Sequence, residues 1–190
     1  MAAKHVVVLM GSPHREGNTA ALVGHLADAA RAEGATVEVF FLDEMDIAPC
    51  RACEACHKEG ASGCVVQDDM QKIYPKLRAA DAVVFASPIY MFSISAQLKT
   101  ALDRCYALVR LEGDHDLVGK RAGLVLAYGA PDLETSGAGE VRRTFERLCG
   151  FARMDLVGVA HGTSGGEGGI RSNRGAMDAA ADLGRRLAAD

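Results

Sequence analysis

Apolar positions along the chain alternate between two spacings. His5 to Met10 is a continuous β-branched and apolar run, as expected for a strand covered on both faces. Thr36 to Phe41, Ala82 to Ala86, Ala122 to Tyr128 and Asp155 to His161 read as four further strands. Between them the spacing becomes helical. Leu22, Leu26 and Ala29/Ala30 share one face of a helix that Asn18 or Thr19 can cap and Gly34 stops. Further helices are predicted from Asp68 or Asp69 through Ala80, from Ser95 to Leu108, from Glu140 to Cys149 and from Arg171 to Ala188. Five strands with intervening helices predict one doubly wound parallel sheet of α/β class, with residues 1–190 forming a single domain. Right-handed crossovers then bring loops 11–19, 87–95 and 129–139 to one edge, where such folds bind ligands at the topological switch point. Residues 42–67 interrupt the alternation as a long irregular insertion, a length that usually signals function.

Composition narrows the classes. With 190 residues, 49% hydrophobic and 24% charged, the chain matches an ordinary globular protein and excludes a disordered one. A net charge of −4 and an aromatic share of 5% argue against a general binder of nucleic acid or of anionic membrane. The run Val6-Val7-Val8-Leu9-Met10 is too short to span a bilayer and follows no leader pattern, so a cytoplasmic location is expected. In that compartment six cysteines do not suggest a disulfide framework.

The first loop, Gly11-Ser12-Pro13-His14-Arg15-Glu16-Gly17-Asn18-Thr19, joins a buried strand to a helix. Backbone N–H groups and the helix N terminus offer positive partial charge, Ser12, Asn18 and Thr19 short hydrogen-bonding groups, and Arg15 a full charge. That set suits a phosphate monoester; a plain capped turn is the alternative. The loop has neither G-x-x-x-x-G-K-[ST] nor G-x-G-x-x-G, so nucleoside triphosphate hydrolysis and dinucleotide binding are disfavoured. The second loop, Ser87-Pro88-Ile89-Tyr90-Met91-Phe92-Ser93-Ile94, sets proline, aromatic and apolar side chains at the same edge. A flat apolar ring with a polar rim can lie there, unless these residues only pack a core or an interface between copies. Together the two loops point to flavin mononucleotide (FMN).

Four cysteines, Cys50, Cys53, Cys56 and Cys64, follow a C-x2-C-x2-C-x7-C pattern. Four thiolates in so short a span can hold an iron–sulfur cube or a tetrahedral zinc, or can stand without metal. Three closely spaced cysteines favour the cube. Cys105 and Cys149 fall in predicted helices and read as small hydrophobes. Asp68 and Asp69 read as a helix cap, Lys99 and Asp103 as an i,i+4 ion pair, and His161 as a bland surface residue near the ligand edge.

These motifs, in their order, resemble the flavodoxin-like NAD(P)H-dependent FMN reductases. The likeness runs through Gly11-Ser12-Pro13 with Gly17-Asn18-Thr19, through the run from Ala80 to Tyr90, and through Leu98-Lys99 with Leu102-Asp103-Arg104. The cysteine segment with Gln67-Asp68-Asp69-Met70 is similar to the iron–sulfur flavoprotein branch of that family. The resemblance implies a three-layer sandwich with strand order 2-1-3-4-5, bound FMN and a dimer or tetramer. It also implies that Ser12, Asn18 and Thr19 hold the phosphate and that Pro88, Ile89, Tyr90 and Met91 line the ring; Arg15, Gly17 and Phe92, from the same two loops, are further cofactor-binding candidates. The loop beginning Tyr128-Gly129-Ala130 would close the other edge. The expected function is an FMN-dependent electron-transfer oxidoreductase with a [4Fe-4S] cluster on the four cysteines. NAD(P)H, a ferredoxin or a small molecule would be its redox partner. A cluster-free FMN or quinone reductase and a non-catalytic flavin-binding redox sensor are the alternatives.

Overall fold

The computed structural model describes residues 3–109, 115–166 and 169–189. Five parallel strands run in the order β2-β1-β3-β5-β6: β1 (His5–Met10), β2 (Thr36–Phe41), β3 (Ala82–Tyr90), β5 (Arg121–Tyr128) and β6 (Asp155–Thr163). Counting those five alone, this is the predicted order. A two-residue strand, β4 (Ser93–Ile94), is additional; it folds back on β3 with Ile89 opposite Ile94 and Tyr90 opposite Ser93. β1 pairs with β2 on one side and β3 on the other, so the strand order reverses between β1 and β3.

Alternation along the strands divides the core. Val7, Leu9, Phe85, Leu124 and Leu126 pack against α2 (Met70–Ala79), α3 (Ala96–Arg104) and α5 (Ala138–Ala152). Val6, Val8, Met10, Val84 and Val125 face α1 (Asn18–Ala32) and α6 (Arg174–Ala188). Because both faces are covered, the strands carry continuous rather than alternating apolar character.

Several boundaries differ from those predicted. β3 continues past Ala86 because Ser87 and Pro88 still pair with Leu126 and Ala127 of β5. α3 ends at Arg104, and residues 105–108 form a 3-10 turn. The expected 129–139 loop contains a one-turn helix, α4 (Leu133–Ser136), capped by Asp132. Neither Asn18 nor Thr19 caps α1; Gly17 takes that position without a side-chain bond. Of the glycine-rich 162–169 loop, residues 167–168 lie outside the described residues. Among the described residues no helix is long and apolar enough to cross a membrane.

α1 and α6 meet at backbone distance. A Cβ on Gly184 would lie 2.2 Å from the Leu26 carbonyl oxygen. Gly184→Ala is therefore expected to push the helices apart and to destabilise the fold by about 1–3 kcal/mol, the usual cost of overpacking. Urea unfolding checks this; an unchanged midpoint would show that the two helices part freely.

Candidate functional site

The chain leaves β1 at the switch point and turns through residues 11–17 into α1. Gly11 N–H donates to Ala86 O at 2.7 Å, which docks this loop on β3. Only glycine fits there, since a Cβ would meet Ser95 Oγ at 2.6 Å and Leu98 Cβ at 2.7 Å. The Ser12 hydroxyl accepts from His14 N–H at 3.2 Å. Ser12 and Thr19 are almost fully buried. The first turn of α1 has no side-chain cap and no acidic residue, so its N–H groups keep their positive partial charge.

These groups line a cleft of about 250 Å³ with Pro88, Ile89 and Tyr90 on one side and Ala127, Tyr128, Gly129 and Ser164 on the other. Ser12, Gly17, Asn18, Thr19, Pro88, Ile89, Tyr90 and Gly129 are thus brought together. Asn18 lines the cleft, but its amide is committed elsewhere: Nδ2 donates to Ser164 Oγ at 2.8 Å and Gly166 O at 2.7 Å, and Oδ1 accepts from Ile170 N–H at 3.0 Å. Asn18 therefore ties the loop after β6 to the cleft.

Four of the expected residues lie elsewhere. The Arg15 guanidinium pairs with Glu44 and lies over the Phe41 ring at 4.5 Å. Met91 and Phe92 form the tip of the β3–β4 hairpin, with φ of 47° and 64° and exposures of 90% and 67%. Hairpin twist demands positive φ at both turn positions, which turns these side chains out to solvent. Ala130 is not among the lining residues.

His14, Ala127 and Ser164 line the cleft without having been singled out in the sequence. His14 sits within the first loop; the only signal for Ser164 is its place just past a strand end. The structure also changes the reading of His161. It is half-buried, and its Nδ1 lies 2.9 Å from the Tyr128 hydroxyl. Burial, followed by the charge of Arg142, lowers the His161 pKa, and burial raises that of Tyr128.

The cysteine segment lies on the α2–α3 face. Cys50, Cys53, Cys56 and Cys64 line one hollow with Val65, Val66, Arg104 and Tyr106. Ala52 and Glu54, between the first three cysteines, have φ of 50° and 55°. Non-glycine residues hold this conformation at a cost of about 1–2 kcal/mol each. Among the described residues, no group of three or more His, Cys, Asp or Glu stands ready for a metal ion. Cys105 and Cys149 are buried, with pKa values pushed by burial up to about 12 and about 11, as inert thiols should have.

Asp68 closes this segment. Its Oδ2 accepts from Ala48 N–H at 3.0 Å and its Oδ1 from Met70 N–H at 3.0 Å. Both oxygens also receive the Arg104 guanidinium, at 2.5 and 3.1 Å. Beyond the helix-cap role expected for it, Asp68 is half of an ion pair whose side chains are 1% and 6% exposed. Asp69 bonds Asp46 N–H at 2.9 Å. The Lys99–Asp103 pair is present at 2.6 Å on the exposed face of α3.

Burial alone would raise the Asp68 carboxyl, but the hydrogen bonds from Arg104, Ala48 and Met70 outweigh it and hold the pKa below the ordinary range. A depressed carboxylate contributes stability above its unfolded pKa of about 3.9, and that contribution disappears as pH falls through the folded value. Asp68→Asn strands the Arg104 charge and is expected to cost about 3–5 kcal/mol at neutral pH. It should also flatten the loss of stability below about pH 4. Urea unfolding at neutral and acid pH checks both; a neutral-pH cost equal to that of an exposed Asp→Asn change would refute it.

The comparisons with known proteins agree with this geometry. The sequence profile of NADPH-dependent FMN reductase matches residues 5–183. An iron-sulfur flavoprotein of Methanosarcina thermophila is 38% identical over 102 residues, 54% of this chain and 52% of that protein. One from Methanocaldococcus jannaschii is 30% identical over 158 residues, 83% of this chain and 75% of the relative. The chain thus spans about half the length of the first of these relatives. The solved NAD(P)H:quinone oxidoreductase of Methanothermobacter marburgensis superposes over all of this chain and 99% of its own, with a TM-score of 0.76 at 19% identity, a likeness of fold. By the span of the profile match, this chain belongs to the NADPH-dependent FMN reductase family.

Proposed function

We propose that this protein is an FMN-dependent electron-transfer oxidoreductase and that its four-cysteine segment holds an iron–sulfur cluster. The uncapped α1 N terminus, opening into a cleft beside buried Ser12 and Thr19, carries the flavin half of the reading. Those groups fit a phosphate monoester. Pro88, Ile89, Tyr90 and Gly129 offer an apolar wall and backbone edges for a flat ring. Asn18 acts one step back, by holding the wall that contains Ser164.

The donor chemistry supports the cluster half. Four thiols line one hollow, and Ala52 and Glu54 between the first three take left-handed backbone conformations. The hollow is narrow, about 20 Å³, too small for a cube in this conformation. When bound, FMN supplies two-electron and one-electron chemistry at its ring, and the cube one-electron steps. The chain's own residues position both groups; the reading needs no dedicated side-chain acid or base.

NAD(P)H, a ferredoxin or a small molecule as redox partner belongs to this proposal, as does a cytoplasmic location. So does assembly into a dimer or tetramer, for which the exposed Tyr90, Met91 and Phe92 tip offers apolar surface. A cluster-free FMN or quinone reductase is the second reading, favoured by the lack of a preformed metal group among the described residues.

Anaerobic purification tests the two halves together. The expected protein is coloured, carries FMN, and contains iron and acid-labile sulfide. Cys53→Ala should lose the iron and keep the flavin. Flavin without iron in the parent chain selects the second reading; a colourless chain that takes up no FMN overturns both. Asn18→Ala is expected to weaken FMN by roughly tenfold, about 1.4 kcal/mol, by releasing the 164–170 wall. Fluorescence titration of the apoprotein measures this, and unchanged affinity would remove Asn18 from the site.

A further inference from the structure

The cation expected of the first loop is withdrawn from the cleft. Arg15 pairs with Glu44 and lies over the Phe41 ring, so its charge is compensated elsewhere. Arg171 is placed differently. It belongs to the 3-10 turn Gly169–Ser172, and the residue before it, Ile170, donates its N–H to Asn18 Oδ1 at 3.0 Å. Its own Nη2 donates to Glu16 O at 3.2 Å. Arg171 is thus tied to the residues on either side of Gly17, the position from which α1 begins. Its side chain is exposed and has no carboxylate partner among the described residues.

A cation in this place stands at the unfavourable end of a helix. The first N–H groups of α1 are uncapped and carry positive partial charge, and its first turn holds no acidic residue. A guanidinium beside them adds to that charge. The arrangement is repulsive until an anion occupies the helix end, and then both contributions become favourable. Bracing the loop needs only a hydrogen bond to Glu16 O, which a neutral donor supplies equally well; the full charge is left unexplained by a brace.

We infer that Arg171 is the charge that selects a phosphorylated flavin: it acts on the phosphate monoester at the α1 N terminus, so that FMN is bound in preference to riboflavin. The inference rests on the FMN reading above. It assigns to Arg171 the full charge that the pattern of the first loop placed on Arg15. Arg171 is not among the residues lining the cleft, so it acts from the rim through its field, an effect that salt screens.

Fluorescence titration of the flavin-free full chain with FMN and with riboflavin tests this. Arg171→Gln keeps a neutral N–H donor at an exposed position. It is expected to weaken FMN by about fivefold at low salt, the scale of one charge at a helix end, and to leave riboflavin unchanged. Arg171→Lys keeps the charge and should stay within about twofold of the parent chain. Near 1 M salt, where the screening length falls to about 3 Å, the difference between parent and glutamine variant should disappear. Equal weakening of FMN and riboflavin in the glutamine variant reduces Arg171 to a brace and overturns the inference. So does unchanged FMN affinity, a lysine variant as weak as the glutamine one, or a difference that persists near 1 M salt. A parent chain that binds neither flavin removes the FMN reading itself, a failure seen before any variant is made.

Discussion

A guanidinium and a carboxylate, both withdrawn from water, hold the cysteine segment against the sheet. Removing two such charges from solvent is costly, and only close geometry with every oxygen engaged offsets it. The Arg104–Asp68 pair meets that condition. Each carboxylate oxygen accepts one backbone N–H as well as the guanidinium, and Ala48 O takes a further donor. The pair joins residue 48, the start of α2 and the end of α3 at one point, and Asp69 fastens residue 46 beside it. With both ends of the segment secured, its middle can keep the left-handed turns at Ala52 and Glu54.

α3 relates this clamp to the cleft. Its cap, Ser95, donates its N–H to Ser87 Oγ at 2.8 Å, just before the Pro88–Tyr90 wall. Its last residue is Arg104, about 13 Å further along the helix at the usual rise. The same frame is tied at the entrance to the cysteine segment. Asp43 accepts from Gln97 at 2.8 Å, and Glu44 pairs with Arg15 of the first loop. The cleft and the thiol hollow are thus built on shared struts.

The cleft depends on helix ends left unfinished. Ser95 and Asn173 cap α3 and α6 with their side chains, whereas α1 begins at Gly17 with none. A capping oxygen there would compete with any anion for the same N–H groups. The Asn18 amide turns instead to Ser164, Gly166 and Ile170, supporting the opposite wall and leaving the helix end open.

The chain's local pattern was enough to determine the five parallel strands, their layered packing and the loops gathered at one edge. Strands buried on both faces must be apolar throughout, and connections between parallel strands must cross over in one hand. It also determined that four thiols lie within one short segment. Tertiary structure alone decided where the polar side chains of those loops point. Arg15 meets Glu44 29 residues away, Asp68 meets Arg104 36 away, and Asn18 meets a loop 146 to 152 residues away. Such partners leave no periodic trace. Likewise, the hairpin register that turns Met91 and Phe92 outward depends on β4, whose two residues are too few to form a pattern. Hydrophobic periodicity encodes which face is buried, whereas the direction of one charged group depends on which distant group the finished fold sets beside it.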